Sequence, residues 1–155
     1  MSSRLFNEVR EKRGLAYSIS SSVKALQDTG TLLVRAGVDN SKLVEAIDVI
    51  FAELTKIKSR GVSIDEFRRA KEYYLGQVLL GLEDTLDHML WIGDSVLTRG
   101  HTRTLKEIIQ KVNKIRAADI QRLAKDILQE KRYNLAIVGP IRGDQEKSLR
   151  ELMGV

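Results

Sequence analysis

Apolar positions along the chain change period several times, and each change marks a predicted element. Leu5, Phe6 and Val9 fall on one side of a helix over residues 3–13. Gly14 follows where such a helix stops, since glycine enters the left-handed conformation at no steric cost. From Ala16 to Val23 the period drops to two, with serines interleaved among larger side chains, which predicts a strand with one wet face. Asp28-Thr29-Gly30 is turn chemistry and Thr31–Val38 a second strand, so the two form a hairpin.

Helical spacing then takes over. Asp39-Asn40-Ser41 caps a helix carrying Leu43, Ile47, Ile50, Leu54 and Ile57, and Gly61 ends it. Ser63-Ile64-Asp65-Glu66 has the serine-to-glutamate spacing of a capping box and opens a helix through Phe67, Ala70, Tyr74 and Val78. Leu86, Leu90, Gly93 and Leu97 mark another, closed by Arg99-Gly100. Leu105, Ile108, Ile109 and Val112 mark a short one, and Ile120, Leu123, Ile127 and Leu128 one more. Asn134–Pro140 reads as a final buried strand, followed by a short helix from Asp144.

Strands and helices in separate blocks predict an α+β chain in two layers, a small and mostly antiparallel sheet packed on helices. A single domain over residues 1–155 is expected. Three strands are few for so many helices, so further strands are expected upstream in a longer parent, or from another chain.

Composition narrows the chemistry. A 43% hydrophobic content suffices for a core, and the lone proline, Pro140, argues against long irregular linkers. The chain has no cysteine, which removes disulfides, thiol chemistry and the preferred ligand of structural zinc sites. No apolar run approaches the roughly 18 residues of a membrane helix, so no membrane span is expected. The N-terminus has no secretory h-region, and a reducing, cytoplasmic setting is the expectation. The net charge of +5 sits between Arg103 and Arg132, with almost no aromatic interleaving. That is the pattern of solvated faces on amphipathic helices, so no nucleic-acid partner is expected.

Metal chemistry needs about three ligands, usually histidines with a carboxylate. Only His88 and His101 are present, and neither stands in an H-E-x-x-H or H-x-x-E-H frame. Asp84 and His88 stand four apart on a predicted helix, where a hydrogen bond at the helix start is the simpler reading. The same shortage of histidine argues against a Ser-His-Asp triad, despite the serine run at 18–22. Gly139-Pro140-Ile141-Arg142-Gly143 lacks the spacing and lysine of a phosphate loop.

The segment from Ser2 to Ser18 stands apart. Arg10 closes a helix, Gly14 turns the chain, and Tyr17 opens a strand. An arginine and a tyrosine aimed at one point would grip a peptide carbonyl and stabilise the oxyanion formed when it is attacked. The plainer alternative pairs Arg10 with a nearby acid and packs Tyr17 in the core.

"SSRLF", "REKRGLAYS" and the seven-residue arginine-to-tyrosine spacing resemble the Arg–Tyr motif in the C-terminal half of the inverted-motif zinc peptidases. These are the pitrilysin, insulinase and mitochondrial-processing-peptidase family. Residues 115–124 and 135–140 are similar to that family's closing helix and strand, so the resemblance runs along nearly the whole chain. It implies a metal-free domain that positions peptide substrate through Arg10 and Tyr17, while zinc and the catalytic glutamate lie on an N-terminal half or a separate partner subunit. No residue of this chain matches a zinc ligand or that base. The resemblance also implies that the family's first strand and most of its first helix are missing. The isolated chain is then expected to form homo-oligomers through a surface including Leu5, Phe6 and Val9. A non-catalytic structural member, similar to respiratory-complex core subunits, is the alternative.

Overall fold

The computed structural model describes residues 3–26 and 28–154. They divide into two compact units, one of residues 1–60 with 123–155 and one of residues 61–122.

In the first unit a short π-helix (Phe6–Glu11) leads into strands β1 (Ala16–Ala25) and β2 (Gly30–Val38), which pair antiparallel. The backbone N–H of Leu26 donates to the Thr29 carbonyl at 2.8 Å across the turn. Asp39 then accepts from the backbone N–H of Ser41 at 2.8 Å, and α1 (Leu43–Arg60) follows. One core cluster joins Val9, Leu15, Ala16 and Ala46, with Leu5, Ile19, Ala36, Val38, Val49 and Ile50 packed around it. The hairpin's inner face therefore rests on α1. A second cluster joins Leu43 and Ile47 of α1 to Leu149. Leu149 lies on the last helix, Gly143–Met153, whose buried Gln145 donates to the Asn40 carbonyl at 2.6 Å.

The N-terminal helix differs from the α-helix expected over 3–13. Its bonds run five residues back, as from the Lys12 N–H to the Asn7 carbonyl at 2.9 Å. Val9 is fully buried, so it cannot belong to an uncovered apolar surface as expected; Leu15, Ala16 and Ala46 cover it. Asn134–Pro140 is not a strand of the sheet, which among the described residues has two strands, β1 and β2. A short apolar run is ambiguous by pattern, and here Ile137 alone packs on the second cluster while Val138 is fully exposed.

The second unit is helical. It holds α2 (Ile64–Gly81), α3 (Thr85–Arg99), α4 (Leu105–Lys114) and the start of α5 (Ala117–Ile127). By the same count the last helix of the first unit is α6. Ser63 accepts from the Glu66 N–H at 3.2 Å to start α2, and Thr104 with Glu107 forms a reciprocal capping box on α4. Lys71 of α2 donates to the Asn113 carbonyl at 3.0 Å, at the end of α4. Among its described residues only Gly61 and Ser95 are buried, and Tyr73, Tyr74, Leu80, Met89, Leu90 and Leu97 are exposed.

Candidate functional site

Arg10 and Tyr17 each follow a buried neighbour. Val9 and Ala16 belong to the same core cluster, so the two backbone positions are held by one packing event. Between them the chain reverses at Gly14, whose φ of 58° is left-handed. The Gly14 N–H donates to the Arg10 carbonyl at 2.9 Å and the Leu15 N–H to the Val9 carbonyl at 2.9 Å. Lys42, just before α1, donates to the Gly14 carbonyl at 3.0 Å and closes the reversal from outside.

Charge sorting leaves Arg10 uncommitted. Glu8 accepts from both Lys12 and Arg13, four and five residues further along the same run. Those hydrogen bonds to Lys12 and Arg13 hold the Glu8 carboxyl down at about 2. Arg10 lies over the Phe6 ring, 5.1 Å from its centroid, with its Nε 4.0 Å from the Glu11 carboxylate. A loose, exposed pair of that kind is worth little.

Tyr17 is 75% exposed, against the alternative of packing in the core. The register explains why. Ala16 pairs with Val38 and Ser18 with Gly37, so Tyr17 sits at a β-bulge. Ala16 and Ile19 both face the core although three residues apart, and Tyr17 and Ser18 are both exposed. Among the described residues no hydrogen bond joins Arg10 to Tyr17. They share an anchor, not a contact.

The remaining candidates are engaged elsewhere. Asp84 accepts from the backbone N–H groups of Leu86 and Asp87 at 2.8 and 3.0 Å, capping α3 and leaving His88 beside Trp91, ring centroids 6.0 Å apart. His101 Nδ1 lies 3.0 Å from the Arg99 carbonyl. Among the described residues no three His, Cys, Asp or Glu side chains gather as a metal site requires, so this donor set does not fit zinc. No helix among them is long and apolar enough to cross a membrane.

Sequence reading missed Glu8, Lys42 and Gly37 as parts of this site. Gly37 carried a signal, because a glycine inside a strand marks a bulge or a close backbone approach.

Residues 1–74 match the family model for the peptidase M16 inactive domain, a span that contains both Arg10 and Tyr17. An uncharacterized zinc protease of Streptomyces coelicolor is 36% identical over 151 residues, covering 97% of this chain and 33% of that protein. One from Bacillus subtilis is 35% identical over 140 residues, covering 90% and 34%. The chain thus spans about a third of the length of these curated relatives. A protease from Helicobacter pylori superposes with a TM-score of 0.69 at 23% identity, over 83% of this chain and 31% of that one. A chain of complex III2 from Candida albicans superposes at 0.73, also 23% identical, over 81% and 30%. At that identity these two show the fold alone. Family model, relatives and fold agree that the chain belongs to the M16 peptidase family, its first 74 residues matching that family's inactive domain.

Proposed function

We propose that this chain is the substrate-gripping, metal-free part of a zinc metalloendopeptidase. One observation carries the reading. Arg10 and Tyr17 are both exposed, while their neighbours Val9 and Ala16 are locked in one core cluster and the acid paired with Arg10, Glu11, comes no nearer than 4.0 Å. Two fixed donors of this kind suit a peptide carbonyl. As water adds to that carbonyl its oxygen gains negative charge, and a guanidinium and a phenol bind the charged oxygen more tightly than the neutral one.

The zinc and the general base are then supplied from outside this chain, by an N-terminal half of the same protein or by a partner subunit. Among the described residues no such site is formed. The relatives named zinc proteases are about three times as long, which leaves room for both.

Reconstitution tests the division of labour. The isolated chain is expected to hold no stoichiometric zinc by elemental analysis and to cleave no unstructured peptide, and to restore cleavage when added to the zinc-bearing segment. One tightly held zinc per chain, or cleavage by the chain alone, would overturn the proposal. So would a zinc-bearing segment that works equally well without it.

A further inference from the structure

We infer that Gly37 is a positioning residue for Tyr17, and that the missing side chain at Gly37 is what holds the phenol on its line. The inference rests on the reading of Tyr17 as a substrate donor. A β-carbon built on Gly37 would stand 2.6 Å from Tyr17 Cζ, 2.7 Å from Tyr17 Oη and 2.9 Å from Ser18 Oγ. The far end of the tyrosine ring therefore lies against the Gly37 backbone, closer than any residue with a side chain permits.

The bulge makes this arrangement. In an unbroken ladder Tyr17 and Ser18 would point to opposite faces. With two residues on β1 opposed to one on β2, both point outward, and both come down on Gly37. An aromatic laid over a cross-strand glycine covers bare backbone and is itself held by it. Tyr17 is exposed, with no hydrogen bond among the described residues, so this stacking is what restrains a ring that otherwise turns freely.

Substitution separates positioning from folding. The atoms that meet a new β-carbon are the ends of the Tyr17 and Ser18 side chains, not backbone. Gly37→Ala therefore lets the hairpin form and swings the ring aside by about 1 Å to reach ordinary contact. Misplacement on that scale costs roughly 100-fold in rate.

Two measurements test it. In the isolated chain, the α-protons of Gly37 lie beside the ring's far end and are expected to show a ring-current shift by nuclear magnetic resonance. Tyr17→Phe keeps that shift and Tyr17→Ala abolishes it. A Gly37 resonance indifferent to Tyr17→Ala would overturn the geometry whatever the function. In the assembly with its zinc-bearing half, Gly37→Ala is expected to lower kcat about as far as Tyr17→Phe does, roughly 100-fold, with KM within about twofold and zinc content unchanged. Added to Tyr17→Phe, it is expected to cost nothing more. If Tyr17→Phe slows turnover and Gly37→Ala does not, or if the two effects multiply, the positioning role fails and the donor role stands. If Tyr17→Phe itself has no effect, the donor role fails and takes this inference with it.

Discussion

Glu8 divides the cations of the run Arg10–Arg13, pairing with two of them and not with Arg10. Its carboxylate takes Lys12 and Arg13 and leaves Arg10, which is the chemical condition for Arg10 to bind something else. The cost and sign of that pairing are readable in pH. A carboxyl held at about 2 against an ordinary 4.5 favours the folded state above pH 4.5, and that contribution is lost as pH falls from 4.5 toward 2. The Lys12 and Arg13 side chains are exposed, so the pairing contributes only about 1 kcal/mol. Urea denaturation of the wild type and Glu8→Gln is expected to show that gap at pH 6 and a clearly smaller one at pH 2. A gap that is the same at both values would contradict the assignment. At this scale the sequence showed which residue types matter but not where they face. Val9 and Leu5 read alike by period, yet Val9 is fully covered. Tyr17 reads as one member of an alternating strand, and only the cross-strand register turns it outward, information that no single-strand pattern contains.

Elements with strong local signals were legible. Asp39, Ser63 and Asp84 cap helices as their types predict, and Gly61 and Gly100 end helices with φ of 73° and 75°. Asn134–Pro140 was not, because an apolar run becomes a strand only when a partner edge meets it, and partner edges are non-local. The N-terminal π-helix was not legible either, since its apolar spacing also suits an α-helix. Helices α2 and α3 carry Tyr73, Tyr74, Leu80, Met89, Leu90 and Leu97 on exposed surface, more than isolated surface apolars would be. We predict that the isolated chain self-associates through these helices and not through Leu5, Phe6 and Val9. Light scattering coupled to size exclusion is expected to give a mass above the 17.5 kDa of one chain, falling on dilution and on Leu90→Glu. A 17.5 kDa monomer at high concentration would sink this expectation.

The whole molecule is an α+β member of a peptidase family whose described residues form no zinc site, and under the proposed function its part in hydrolysis rests on two donors on either side of one reversal. Arg10 and Tyr17 were legible as a sequence motif because their spacing is local in the chain. Their supporting residues were not, because Lys42, Gly37 and Ala46 meet them only after the hairpin folds onto α1. The measurement that bears most directly on this account is steady-state cleavage of an unstructured peptide by the zinc-bearing assembly carrying Arg10→Ala or Tyr17→Phe. Each variant is expected to lose roughly 100-fold or more in kcat and kcat/KM with its zinc content unchanged, the loss that follows removal of one oxyanion donor. Wild-type kcat and kcat/KM in both variants would contradict the account and leave the chain a scaffold.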